Sequence, residues 1–153
     1  MPTTDTFVCD TCGQIIEKPE HGWVEWISLV GKKPGRNFRL VHHKPRSPNS
    51  GESGCQFNQA AEFAEDKGIV SDLPLTYFMG SNGLMSLLSM INQNDVPVDE
   101  VVEMIKRIHI PGYERARFYF KEAIDNGVFE PNMPENFYWQ SDIEDTLKFA
   151  EDK

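Results

Sequence analysis

No run of about 18 apolar residues occurs in this 153-residue chain, so nothing in it reads as a membrane-spanning helix. The opening Met1-Pro2-Thr3-Thr4-Asp5-Thr6 lacks the basic and apolar regions of a secretory signal, which points to a cytoplasmic protein. Cysteine is scarce. There are three, an odd number, and two of them are too close together for an ordinary structural disulfide, so in a reducing compartment the spacing reads as metal binding or redox chemistry rather than as a disulfide framework. Also missing are a glycine-rich phosphate loop, a Gly-x-Ser-x-Gly elbow, a His-Glu-x-x-His helix and the His-x-Glu with Pro-Cys-x-x-Cys of nucleoside deaminases. Nothing in the chain argues for an enzyme.

Core-forming residues are plentiful by contrast: 39% of the chain is hydrophobic, with 10 Phe, 4 Tyr and 3 Trp, enough for a packed interior. The net charge of −9 argues against non-specific binding of nucleic acid by the whole molecule. That charge is uneven. Residues 1–57 carry 7 Lys/Arg against 6 Asp/Glu, a net of +1, and residues 58–153 carry 8 against 18, a net of −10. Between 31 and 50 there are six basic residues and no acidic one. The expected organisation is a front lobe over 1–68 and an acidic helical domain over 69–153.

Much of the front lobe is organised around Cys9-Asp10-Thr11-Cys12-Gly13. Two thiolates three residues apart, followed by Gly, form a turn that presents both sulfurs to one metal ion. Zn²⁺ takes four such ligands in a tetrahedron, and Cys55 with one of the adjacent His42 and His43 completes a set of three cysteines and one histidine. Period 2 through Phe38-Arg39-Leu40-Val41-His42 places His42 on the face of Phe38 and Leu40, which favours His42 over His43 as the fourth ligand. His21, at a strand entry, is a weaker candidate. With all four positions filled by protein the site reads as structural, because a catalytic zinc keeps one position open. A redox CxxC belongs between a strand and a helix of a βαβ unit, and no such unit is visible.

The surrounding elements follow from local pattern. Trp23 to Leu29 reads as a strand, residues 31–37 as a polar loop, and 38–42 as the second arm of a hairpin. Lys44 to Gly54 reads as an exposed loop. Cys55 then stands just before a short helix over 56–66, where the positive helix end suits a thiolate. The order of turn, hairpin, third cysteine and helix is similar to zinc ribbons and treble-clef fingers, over about residues 7–66. That resemblance implies one structural Zn²⁺, although a single Cys stands where those modules usually have a second CxxC.

From residue 72 the period becomes 3.6. Asp72 to Gly80 reads as a short helical turn. Ser81 or Asn82 then caps a helix carrying the stripe Leu84, Leu87, Leu88 and Ile91. Another helix starts at Pro97, with Val98, Val101, Ile105 and Ile108 inward. Tyr113 to Asn126 reads as one longer helix, central because Phe118-Tyr119-Phe120 make it apolar nearly all round. The aromatic cluster Phe137-Tyr138-Trp139 should dock on the helices. Ser141 and Glu144 form a capping box for the last helix. Met79, Met85, Met90 and Met104 read as core fillers. Lys106, Arg107, Arg115 and Arg117 are expected to pair with Glu103, Glu114 and Glu122.

These features give an α+β fold and a small zinc-binding protein that acts by protein–protein interaction, as adaptor, regulator or inhibitor. Its acidic surface suits a partner with a basic surface. The alternatives are a nucleic-acid-associated zinc ribbon using Lys32, Lys33, Arg36, Arg39 and Lys44, and a zinc-dependent enzyme.

Overall fold

A computed structural model describes residues 6–49 and 51–152. Residues 1–5, which carry the signal-peptide reading, and Ser50 of the exposed loop lie outside that range. The fold is α+β, with antiparallel strands in the amino-terminal half and mostly helices in the carboxy-terminal half. The chain divides by its contacts into two units, Thr6–His109 and 110–152.

The first unit opens with two short strands, β1 (Phe7–Val8) and β2 (Ile15–Ile16), which pair antiparallel across the CxxC turn. A three-stranded antiparallel sheet follows, in the order β4-β3-β5, from β3 (Gly22–Leu29), β4 (Lys32–His42) and β5 (Ile69–Pro74). The hairpin is tighter than the sequence suggests. Its turn is Val30-Gly31, and the turn-forming stretch from Lys32 lies within β4. Register shifts between Glu25 and Leu29 absorb Pro34 and Gly35 into the strand. A Cβ on Gly35 would lie 2.2 Å from the carbonyl oxygen of Ile27, so only glycine allows that approach.

β5 takes residues 72–74 of the helical turn expected over 72–80, and Leu75–Phe78 coils as a 3₁₀ turn. Its pairing with β3, Val24 opposite Leu73 and Trp26 opposite Ser71, gives the segment a sheet face that period 3.6 conceals. Between β4 and β5, α1 (Gln59–Asp66) starts later than expected, capped by the Asn58 side chain on the Ala61 N–H.

Two helices complete this unit, α2 (Gly80–Gln93) and α3 (Val98–His109). α2 begins at Gly80 without a side-chain cap, so Ser81 and Asn82 lie in its first turn. It buries Gly83, Leu87 and Met90, while Leu88 turns outward. Val98 of α3 is likewise exposed, and Val101, Met104 and Arg107 are buried. The core joins both sheets and these helices through Phe7, Ile16, Val24, Leu40, Phe78, Leu87 and Val101. Each such apolar side chain contributes about 1.5–3 kcal/mol when removed from water.

The second unit holds α4 (Tyr113–Ala116), α5 (Phe120–Asp125) and α6 (Gln140–Glu151). The single helix expected over 113–126 is broken at 117–119, with Tyr119 leaving helical geometry at φ −123° and ψ −5°. Three consecutive aromatics cannot share one helix face. The break buries Phe120 beside Tyr113 and Ala116 and leaves Phe118 54% exposed, beneath the Arg117 guanidinium. Of Phe137-Tyr138-Trp139, Tyr138 stacks on Phe120 at 3.7 Å between ring centroids, and Trp139 is 54% exposed. α6 starts at Gln140, so Ser141 is not its cap.

Candidate metal centre

Three chain segments bring four ligand atoms together. The β1–β2 turn carries Cys9 and Cys12, the end of β4 carries His42, and the loop before α1 carries Cys55. Among the described residues, the three Sγ atoms and an imidazole nitrogen all lie within 4.8 Å of one another. Nδ1 of His42 is 3.5 Å from Cys12 Sγ and 3.8 Å from Cys55 Sγ. Metal–sulfur and metal–nitrogen bonds of about 2.3 and 2.0–2.1 Å at tetrahedral angles imply a nitrogen–sulfur edge of about 3.6 Å. The group is therefore positioned to bind one metal ion. All three cysteines are free thiols.

The imidazole is oriented for that task. Its Nε2 lies 3.1 Å from the carbonyl oxygen of Ile15, and a carbonyl can only accept, so Nε2 carries the proton. In the neutral ring Nδ1 is then bare and faces the sulfurs, the arrangement by which outer partners orient a ligating histidine. His43 points to the other face of β4 and stacks on Trp23. His21 stands outside the group, beside a polar cavity of about 420 Å³ that Gln14, Glu17, His42 and Arg46 also line.

The outer edge of β4 explains how the segments are held in register. Alternate N–H groups along it meet three acceptors from elsewhere in the chain. Phe38 N donates to Glu100 Oε1 (2.9 Å), Leu40 N to Asp10 Oδ2 (2.8 Å) and His42 N to Cys9 Sγ (3.4 Å). Asp10 N returns a bond to the Leu40 carbonyl at 2.8 Å. The CxxC turn thus docks on the strand as a short added rung, covering an edge that would otherwise be open.

Electrostatics differ among the thiols. Burial disfavours ionisation of Cys9, but the N–H groups of Cys12, His42 and Thr11 outweigh it and hold the thiol below its ordinary value. Burial pushes Cys55 up to about 11, opposed by Ser47 and reinforced by the neighbouring Cys9. Cys55 does not stand at a helix N-terminus, as the sequence suggests, because α1 begins only at Gln59 behind its Asn58 cap. Its backbone is fixed instead. Cys55 N donates to Ser47 Oγ (3.0 Å), and its carbonyl accepts from Thr11 Oγ1 (2.6 Å) and Arg39 Nη2 (3.3 Å).

Arg39 belongs to this support. Its guanidinium pairs with the fully buried Glu25 at 2.7 Å and lies 3.6 Å over the Phe57 ring. Burial raises the Glu25 carboxyl, against the pull of Arg39 and the Phe57 N–H. Two more members of the expected basic set are drawn into ion pairs, Arg36 with Glu62, Glu65 and Asp66 of α1, and Lys33 with Asp95. Lys32 and Lys44 are exposed.

Arg107 was not legible as part of the site. The expectation names only nearby helical carboxylates for it, and the structure adds Asp10 at 2.8 Å. Lys106–Glu103 and Arg117–Glu114 form as expected.

A second, mostly apolar groove of about 500 Å³ lies between β3, the 3₁₀ turn and α2, lined by Trp26, Tyr77, Phe78, Met85 and Met90 among others. Met85 is 66% exposed, so it is not a core filler. Among the described residues no helix is long and apolar enough to cross a membrane. Compared with protein-family models, curated proteins and solved structures, the chain matches none.

Proposed function

We infer that the chain is a zinc protein whose Cys9, Cys12, His42 and Cys55 hold one Zn²⁺ as a structural ion, and that it acts by binding another protein as adaptor, regulator or inhibitor. The observation that carries the zinc reading is the convergence of three thiols and an oriented imidazole nitrogen within 4.8 Å. A soft donor set of three sulfurs and one nitrogen at tetrahedral spacing suits Zn²⁺ above the harder divalent ions. Four protein donors fill a tetrahedron, which favours a structural over a catalytic ion. Free thiols suit a reducing compartment, hence the cytoplasm. The succession of CxxC turn, hairpin and third cysteine supports the likeness to zinc ribbons and treble-clef fingers.

Support for the interaction role comes from the α2 face. No charged residue occurs in the 14 residues of α2, in a chain where 25% are charged. Tyr77 and Leu88 join Met85 on the exposed surface, at 51% and 45% exposure. Aromatic and Met enrichment with charge depletion marks the centre of protein interfaces. The expected occupant is an apolar anchor of a partner whose remaining surface is basic, complementary to the net charge of −9. The nucleic-acid reading draws less support, since Lys33, Arg36 and Arg39 already hold carboxylates.

The test uses the tagged full chain, zinc-loaded, with Leu88→Glu and Met85→Glu as controls. The expected result is a protein partner retained after nuclease treatment by the native chain and lost by both folded variants. Retention that disappears with nuclease, or that both variants share, would contradict the reading.

A further inference from the structure

We propose that Arg107 is a positioning residue of the metal centre, acting through Asp10 to set the CxxC turn in register with His42. This rests on the zinc reading above and extends it to residues that are not ligands. Asp10 stands between the two turn cysteines in sequence. Its backbone N–H and one carboxylate oxygen both engage Leu40, two residues before His42. Asp10 therefore measures the offset between Cys9 and Cys12 on one side and His42 on the other.

The same oxygen, Oδ2, accepts from Arg107 Nη1 at 2.8 Å, and Arg107 Nη2 donates to the Val8 carbonyl at 3.1 Å. One planar fork thus grips the turn at two points, the residue before Cys9 and the residue after it. The Arg107 side chain is only 5% exposed, against 25% for Asp10, so packing holds the guanidinium in place while the carboxylate stands nearer the surface. Glu100, seven residues earlier on α3, bonds Phe38 N farther along the same strand edge. Helix α3 consequently braces both the strand that presents the imidazole and the turn that presents two thiols. Without the fork, Asp10 keeps Leu40 but the turn loses its anchor at Val8, and the metal must supply the ordering itself.

The experiment measures zinc affinity of the full chain by competition with a chromophoric chelator, for the native protein, Arg107→Met, Arg107→Lys, Asp10→Asn and the Asp10→Asn/Arg107→Met double variant. Val101→Ala, a buried change on the same helix whose side chain can make no hydrogen bond to the turn, is the stability control. Loss of an outer partner typically weakens metal binding about 10–100-fold. Arg107→Met and Asp10→Asn should each weaken binding by that order, and the double variant by far less than the product of the two. Arg107→Lys should recover part of the loss, and Val101→Ala should stay within about threefold of native despite its lower melting temperature. Multiplicative losses in the double variant, or losses that track melting temperature across all variants including Val101→Ala, would overturn the proposal. A native chain that binds no zinc would sink the zinc reading itself. If Arg107→Met does not fold, Arg107→Lys and Asp10→Asn still decide the matter.

Discussion

The imidazole of His43 lies flat against the indole of Trp23, with ring centroids 4.3 Å apart and planes 15° from parallel. That stack commits His43 to the opposite face of β4 from His42, whose Nδ1 faces Cys12 and Cys55. The two neighbours should therefore respond differently to truncation. His43→Ala should retain the metal and lose the stack, about 0.5–1.5 kcal/mol beyond its burial. His42→Ala should lose the metal. Metal content and a denaturant titration of both variants check this, and equal metal loss would contradict the assignment.

Removing the ion from the native chain should release three segments at once. A strong chelator should free the CxxC turn from the β4 edge and let Cys55 leave the site. Trp23 and Trp26, both half-buried on β3, would then report the opening as a red-shifted emission. Re-addition of Zn²⁺ should reverse the shift. An unchanged spectrum in metal-free protein would show that the hairpin stands without the ion.

Gly83 offers a test of the α2 packing. A Cβ there would lie 2.0 Å from the carbonyl carbon of Phe78, a backbone atom that cannot step aside. Ordinarily Gly→Ala inside a helix gains up to about 1 kcal/mol. Here Gly83→Ala should instead cost about 1–3 kcal/mol through overpacking. Thermal denaturation measures it, and a rise in melting temperature would show that α2 and the 3₁₀ turn are not in close contact.

A pH dependence follows from Arg36 and Asp66, whose Nε and Oδ2 are 3.0 Å apart. The hydrogen bond from Arg36 holds the exposed Asp66 carboxyl below the ordinary range. A carboxyl depressed in the folded state stabilises fully above its unfolded value of about 3.9, and the contribution is lost as pH falls through the lower folded value. The stability difference between the native chain and Asp66→Asn should be constant from about pH 5 to 7 and shrink toward zero below about pH 4. Salt should reduce it, since the pair is exposed. A difference that grows on acidification would contradict this pairing.

What could be read from the residues alone divides along the range of the forces involved. The alternation Phe38, Leu40, His42 is a local, period-2 property, so the inward face of β4 is visible without any knowledge of its partners. Scarcity did the rest: with three cysteines, the third had few places to go. Features set by distant groups were hidden. Gly35 and Pro34 look like a loop because the acceptor of the Gly35 N–H, the Asp95 carbonyl, is 60 residues away. β5 is six residues long and ends in Pro, so its identity as a strand comes only from the β3 partner beside it. Arg107 and Asp10 are 97 positions apart, and nothing in the local charge pattern of α3 separates that arginine from its neighbours. The break at 117–119 is a choice of which aromatic to bury, made by packing and not by helix propensity.

X-ray absorption at the zinc edge of the protein as purified reports ligand type, number and distance together. One zinc per chain with three sulfurs at about 2.3 Å and one nitrogen at about 2.0–2.1 Å is the expected result. A chain without zinc, or a first coordination sphere made of oxygen and nitrogen alone, would contradict it.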